Sequence, residues 1–149
     1  MTPLNADVIA AIMDITTFPN GAATINSNHN LNPQQIKFLA AKFVGSTNEP
    51  GVGPDLVCRD RWGHPYIISM DLNGDTRCRD AFYRRHLVSR ANDALGFNGL
   101  MNGSNTNGMS DLFERQESVM VWSLGPDGKA DITKPANVAP NRDNILSWK

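Results

Sequence analysis

The sequence has few charged residues and almost no imbalance of charge. Of its 149 residues, 14 are Lys or Arg and 15 are Asp or Glu, so the formal net charge is -1. A protein that binds nucleic acid or an anionic bilayer usually carries a basic patch or an excess of positive charge. The composition therefore argues against both kinds of partner, and we expect no nucleic acid.

Long apolar runs are also missing. No stretch approaches the roughly 20 residues that a membrane span requires. The start, Met1-Thr2-Pro3-Leu4-Asn5, has neither the basic nor the apolar region of a secretory signal. We expect the chain as printed to be soluble, and its length suits a single domain over residues 1–149 with a core of its own.

The motifs of most enzyme classes are missing too. The three histidines, His29, His64 and His86, lack the spacing of a metal site such as H-E-x-x-H. No G-x-S-x-G elbow, phosphate-binding glycine loop or dinucleotide fingerprint occurs. We therefore predict that the protein is not an enzyme.

Cysteine is scarce, with only Cys58 and Cys78. The two residues flank a predicted strand and its turn, so they could meet at a sheet edge and form a disulfide in an oxidising compartment. The alternative is two inert thiols.

A short amphipathic helix is predicted near the start. Apolar residues recur at helical spacing from Val8 to Ile15, after a cap at Asn5 or Asp7. The turn residues at 18–21 end it.

A second helix is predicted after residue 31. Asn32 suits the N-cap, Pro33 the first helical position and Gln35 the third. Its apolar face would comprise Ile36, Leu39, Ala40 and Phe43.

Two strands are predicted from their patterns. Residues 66–72 alternate between apolar and polar positions, and Asn73-Gly74 then suits a hairpin turn. Val119-Met120-Val121-Trp122 is the second strand. Residues 81–88 fit either a helix or a strand, and residues 96–108 are rich enough in Asn and Gly to predict a long exposed loop. Six residues are expected in the core or at its edges: Trp62, Tyr66, Ile68, Val119, Val121 and Trp148.

Two acidic loops could hold a cation. Asp71-Leu72-Asn73-Gly74-Asp75 imitates the start of an EF-hand, but Thr76 and Phe82 stand where the loop needs Gly and Glu, so a plain turn is favoured. In the second loop, residues 122–148, Gly and Pro permit tight turns among Asp127, Asp131 and Asp143. Calcium takes six to eight oxygen ligands from such loops. The alternative is a solvated turn in which Asp127 supports Gly128.

The middle of the chain is locally basic. Its arginines alternate with Phe82 and Tyr83, a mixture that suits an interface with an acidic partner or a solvated surface balanced by neighbouring aspartates. These arginines are Arg77, Arg79, Arg84, Arg85 and Arg90.

The chain contains the motif Asp60-Arg61-Trp62-Gly63-His64-Pro65-Tyr66 and ends in a stretch from Ser123-Leu124-Gly125 to Trp148. Together these two motifs resemble the globular domain of the major pseudopilin of type II secretion systems, within the type IV pilin superfamily. In that family a D-x-W-G-x-P-Y segment opens the sheet and an S-L-G-x-D-G loop binds calcium. Relative to the family, residues 77–117 would be an insertion.

The resemblance implies an α+β fold, with the first helix and a second helix packed on a small antiparallel sheet, the insertion outside it, and a long C-terminal calcium loop. The first helix would be the soluble end of a longer helix whose other half crosses the inner membrane. Calcium ligands carried over from the family are the carboxylates of Asp127 and Asp143 and the backbone oxygens of Leu124 and Lys129, with Asp131 and Asn144 in reserve.

The implied function is that of a structural subunit of a calcium-stabilised periplasmic filament for protein export. Its partners would be other pseudopilin subunits and the secretion machinery, and the full-length protein would be anchored in the inner membrane. The chain as printed should be a monomer, because the membrane half of the helix supplies most subunit packing. The alternative is a stand-alone extracytoplasmic binding module stabilised by calcium.

Overall fold

A computed structural model describes residues 4–104 and 107–149. The chain forms two compact units, which we call the N-terminal unit, residues 4–66, and the C-terminal unit, residues 67–149. The described residues include α-helices and three antiparallel sheets, so the fold class is α+β as predicted. Among these residues, no helix has both the length and the apolar character that a membrane crossing requires.

The N-terminal unit begins with helix α1, Asn5–Ile12, and later pairs strand β1, Gly51–Val52, with strand β2, Cys58–Arg59. The predicted first helix is confirmed, although it starts and ends about three residues early. The apolar side of α1 packs into a small core of this unit. That core consists of Ile9, Ala10, Met13, Val52 and Leu56.

The cap predicted for α1 is wrong. The N-cap is Leu4, without a capping side chain. The Asn5 amide instead accepts a hydrogen bond from the Cys58 backbone N–H at 2.8 Å and donates to the carbonyls of Cys58 and Tyr66, at 3.0 and 2.6 Å. It thus ties the helix to β2 and to the residue before the C-terminal unit.

The second helix, predicted from Asn32 onward, is also wrong. Gln35 has φ of 55°, which no α-helix accommodates. The Asn32 side chain does not cap a helix but donates to the carbonyls of Ala11 and Ile36, at 3.0 and 2.7 Å. In the predicted apolar face, Ile36 and Phe43 are exposed, while Leu39 packs against the small core of this unit.

The C-terminal unit contains the remaining regular elements. In chain order they are β3 (Ile67–Met70), α2 (His86–Ser89), β4 (Arg90–Asn92), β5 (Leu95–Gly96), β6 (Met101–Asn102), β7 (Phe113–Glu114), β8 (Val119–Ser123) and β9 (Ile145–Leu146).

Both predicted strands are confirmed, and they pair with each other. β3 lies antiparallel to β8, which in turn pairs with β9. The chain bends at Asn73-Gly74, but the hairpin is wrong because the partner of β3 is β8 rather than the segment after the turn. Of the residues expected in the core, Ile68 and Trp148 are buried, whereas Trp62 and Val119 are exposed.

The described residues of 77–117 supply no strand to the sheet β3-β8-β9, but they do contribute to the core of the C-terminal unit. They form the second sheet, in the order β4-β5-β6-β7, and α2 resolves the ambiguity of residues 81–88 by placing a single helical turn at their end. Of the predicted loop at 96–108, Gly96, Met101 and Asn102 belong to this sheet, and residues 105–106 lie outside the described ones. Five residues of the segment join the core around Trp122: Cys78, Tyr83, Val88, Leu100 and Phe113.

The buried carboxylate of Asp80 lies at the centre of this core. Its Oδ2 accepts hydrogen bonds from the Ser69 hydroxyl at 2.7 Å and the Trp122 indole N–H at 3.1 Å. Its Oδ1 accepts from the backbone N–H groups of Phe82 and Tyr83, both at 2.9 Å. One carboxylate therefore connects β3, β8 and the middle segment.

Replacing Asp80 with Ala should destabilise the protein by about 3 kcal/mol or more, because buried donors lose their acceptor. Urea denaturation measures the change. Glu49→Ala, at an exposed site, is the control and should stay within about 0.5 kcal/mol of the parent. Equal effects of the two substitutions would contradict the role assigned to Asp80.

A pH dependence is expected from Asp14 in the N-terminal unit. The hydrogen bond from His29, at 2.7 Å, and then that from Asn26 hold the pKa of the Asp14 carboxyl below its usual 3.8. A lowered folded-state pKa adds stability above the unfolded pKa, and this stability is lost as the pH falls below 3.8 through the folded value.

Asp14→Asn should remove this component of the acid sensitivity, whereas Asp93→Asn should leave the profile as in the parent. The measurements are the unfolding midpoint between neutral and acid pH and the titration of the Asp14 carboxyl carbon by NMR. A titration at or above 3.8 would refute the assignment.

Candidate functional site

The long loop between β8 and β9 brings part of the predicted calcium set together. The last pair of the two strands is Ser123 with Ile145, so Leu124 and Asn144 follow at the same end of the sheet. Gly125 has φ of 67°, and a Cβ there would collide with the carbonyl oxygen of Asp143. The close approach of these segments therefore requires glycine.

A second group of predicted residues lines an open groove of about 670 Å³ beside the same loop. Asp127, Lys129 and Asp131 belong to its wall, but Asp143 does not. The Asp127 Oδ1 accepts the backbone N–H of Lys129 at 3.0 Å across Gly128, which has φ of 64°. Asp127 therefore supports the turn, as the alternative expects, while its Oδ2 has no hydrogen-bond partner among the described residues.

Asp131 is less available for a ligand. The hydroxyl and backbone N–H of Thr133 donate to it at 2.6 and 2.9 Å, and they hold its pKa below the usual value. The Lys134 ammonium lies 3.8 Å from its other oxygen. The Asp131 carboxylate therefore already accepts the hydrogen bonds that order its own turn.

Asn144 is buried in the C-terminal unit and faces the aromatic core. Its amide nitrogen donates to the Tyr83 hydroxyl at 2.9 Å, and burial raises the pKa of Tyr83 to about 12, so that hydroxyl stays neutral at physiological pH. The amide oxygen of Asn144 is buried and has no hydrogen-bond partner among the described residues. A buried acceptor without a donor is costly, and either a water molecule or a cation would satisfy it.

The loop between β8 and β9 contains oxygens of the kind that a hard cation takes, in the Leu124 carbonyl, the carboxylates of Asp127 and Asp143, and the amide of Asn144. They do not all lie on one surface, because Asp127 lines the open groove and Asp143 does not. Calcium binds such oxygens in irregular loops. Among residues 4–104 and 107–149, no three His, Cys, Asp or Glu side chains cluster closely enough to hold a metal, so carbonyl and amide oxygens would be needed here.

Asn141 is a site residue that the sequence did not reveal. Its amide oxygen accepts the Asp131 backbone N–H at 2.8 Å, and its nitrogen donates to the carbonyls of Asp131 and Lys134, at 2.8 and 2.7 Å. This buried side chain closes the loop on itself. The only signal in the sequence is an Asn after a turn proline, which occurs in many loops.

The other acidic loop is closed by its own backbone. Lost hydration raises the pKa of Asp71, but the N–H groups of Thr76, Gly74 and Asn73 outweigh this effect and lower it. These donors lie 2.7, 2.8 and 3.1 Å from its carboxylate. The structure thus has the plain turn that the sequence favoured.

Both cysteines are free thiols, Cys58 in the N-terminal unit and Cys78 in the C-terminal unit. Burial raises the pKa of each, that of Cys78 to about 11. The nucleophilic form of cysteine is the thiolate, and a raised pKa keeps the thiolate fraction low at neutral pH.

No protein-family model, curated protein or solved structure matches this chain. The resemblance to pseudopilins therefore depends on the two sequence motifs alone.

Asn141→Ala should loosen the C-terminal loop, because the buried backbone groups of Asp131 and Lys134 lose their partners at a cost of about 1 to 3 kcal/mol. Hydrogen exchange at the Asp131 amide should become much faster. Asn137→Ala, exposed in the same loop, is the matched control and should leave the exchange rate unchanged. Slow exchange at Asp131 in Asn141→Ala would contradict this role.

Proposed function

We propose that this chain is a structural subunit of a pseudopilin-like filament that serves protein export of the type II secretion kind. The observation that carries the proposal is the sheet β3-β8-β9. β3 directly follows the D-x-W-G-x-P-Y motif, β8 leads into Ser123-Leu124-Gly125, and β9 lies within the closing D-N-I-L-S-W. The strand that follows the first motif and the strand within the closing motif thus both pair with β8.

Calcium would stabilise the loop between β8 and β9. Asp127 and Asp143 would supply carboxylates, and Leu124 and Lys129 would supply backbone oxygens. These groups are scattered over 20 residues and come together only when the loop is ordered, so binding would be coupled to folding. The orphaned oxygen of Asn144 supports this placement.

The filament role implies the partners and the location. Other copies of the subunit and the secretion machinery would be the partners, in the periplasm, and a membrane helix continuous with α1 would anchor the subunit in the inner membrane. The globular part alone should then be a monomer at micromolar concentration, which sedimentation can test.

A second candidate function is a stand-alone extracytoplasmic binding module. Arginine side chains that line concave surfaces of the C-terminal unit favour it. The coding sequence ahead of Met1 separates the two functions. A leader ending in Gly and followed by Phe-Thr-Leu-Ile-Glu and an apolar run supports the filament subunit, whereas an ordinary cleavable signal supports the free module.

Calcium at millimolar concentration should raise the melting temperature, and a chelator should lower it, because the ion binds only the folded state. At about 100 times the Kd the gain is roughly 2.7 kcal/mol. Calorimetry with and without chelator measures the effect. Identical melting curves would overturn the calcium assignment.

Asp127→Ala should abolish the calcium response and leave the far-ultraviolet spectrum near that of the parent, because the turn lies outside the helices and sheets. Asp71→Ala is the matched control from the other acidic loop and should keep the response. The opposite result would place the ion in the loop at residues 71–76.

A further inference from the structure

A second concave surface of the C-terminal unit is lined by two arginines and no carboxylate. We call it the arginine groove, and its volume is about 380 Å³. Arg79 and Arg84 supply the charge, while the exposed side chains of Met70 and Leu72 supply apolar surface. The lining is completed by Ser69, Asn73 and Ala81.

Both guanidinium groups are held by their inner nitrogens. The Arg79 Nε donates to the carboxylate of Glu114 at 2.6 Å, and Glu114 is only 6% exposed. The Arg84 Nε donates to the backbone carbonyl of Asp111 at 2.9 Å. Among the described residues, the terminal Nη nitrogens of these two arginines have no hydrogen-bond partner.

Glu114 does not neutralise this surface. Its other oxygen accepts from Arg77 at 2.8 Å, so one buried carboxylate faces two arginines and the group keeps a positive charge. Because the Nε atoms of Arg79 and Arg84 are already bonded, these side chains lose little conformational entropy when their Nη atoms bind an anion. A planar guanidinium group can bind a carboxylate through two parallel hydrogen bonds.

We propose that the arginine groove binds an acidic peptide segment of a partner protein, in which a carboxylate side chain is next to an apolar one. The carboxylate would meet the Nη edges of Arg79 and Arg84, and the apolar side chain would pack on Met70 and Leu72. This inference goes beyond the filament role and uses none of the residues of the C-terminal loop.

The surroundings of the groove favour a peptide over a dense polyanion. The adjoining hollow, which Arg77 and Arg79 also line, carries the carboxylates of Asp71 and Asp75. A nucleic acid or sulfated glycan would extend negative charge into that hollow and meet repulsion. A peptide can place a neutral or basic residue there, and the apolar wall has no counterpart on a sugar-phosphate chain.

The first test uses two fluorescent peptides in an anisotropy titration at low ionic strength. One has the sequence Glu-Leu-Asp-Leu-Glu, and the other is its amide analogue, Gln-Leu-Asn-Leu-Gln. The acidic peptide should bind, and the amide analogue should bind about tenfold more weakly or not at all, because it lacks charge-assisted hydrogen bonds. Equal binding of the two, or no binding of the acidic peptide at millimolar protein, overturns the proposal.

The second test separates a built site from general attraction. Arg84→Gln should weaken binding of the acidic peptide about tenfold. Arg85→Gln removes the same charge from a neighbouring exposed residue outside the groove, so it should change the Kd by less than about twofold. Met70→Glu, which adds a carboxylate to the wall without touching either arginine, should abolish binding in a folded protein. An equal loss of peptide affinity in Arg84→Gln and Arg85→Gln overturns the proposal. It is also overturned if a heparin hexasaccharide binds more tightly than the acidic peptide and Arg84→Gln removes that binding.

Discussion

The C-terminal unit depends on the burial of the Asp80 carboxylate. A buried charge is tolerated only when donors surround it, and here four donors come from two strands and from the segment that follows Asp80 itself. These bonds fix Phe82 and Tyr83 against Trp122, with ring centroids 5.2 and 5.1 Å away. Because the Tyr83 hydroxyl then meets Asn144, the position of the closing loop follows from the same constraint.

Asparagine side chains in this fold bond several backbone groups that a helix or a sheet would bond in a more regular structure. The strands of this chain are two to five residues long, so many buried backbone groups have no partner in a ladder. An amide offers both a donor and an acceptor and can bond the backbone as a strand would. The asparagines that do so are Asn5, Asn26, Asn32, Asn102 and Asn141.

This use of asparagine explains which parts of the fold could be read from the sequence. Strand β3 followed from apolar alternation, and strand β8 from the continuous apolar run of residues 119–122. The second helix was predicted wrongly because an asparagine at position 32 can either cap a helix or, as here, donate hydrogen bonds to the carbonyls of Ala11 and Ile36. A local pattern cannot distinguish those roles when the deciding partner lies 21 residues away.

The same limit applies to the candidate site. Glycines and aspartates marked the turn at Asp127, which is local, and the fold places Gly125 against the backbone of Asp143. Asn141 and Glu114 escaped notice because their importance lies in burial.

Several acidic side chains of the C-terminal unit already have partners: Asp80 has four donors, Glu114 has two arginines, and Asp71 and Asp131 bond their own turns. Among the described residues, the polar atoms without a hydrogen-bond partner include the amide oxygen of Asn144 and the outer edges of Arg79 and Arg84, and the two proposed binding sites draw on these atoms. Because the charges of this chain nearly balance, its net charge does not indicate a ligand. We expect ligands to bind where folding leaves polar atoms without a hydrogen-bond partner.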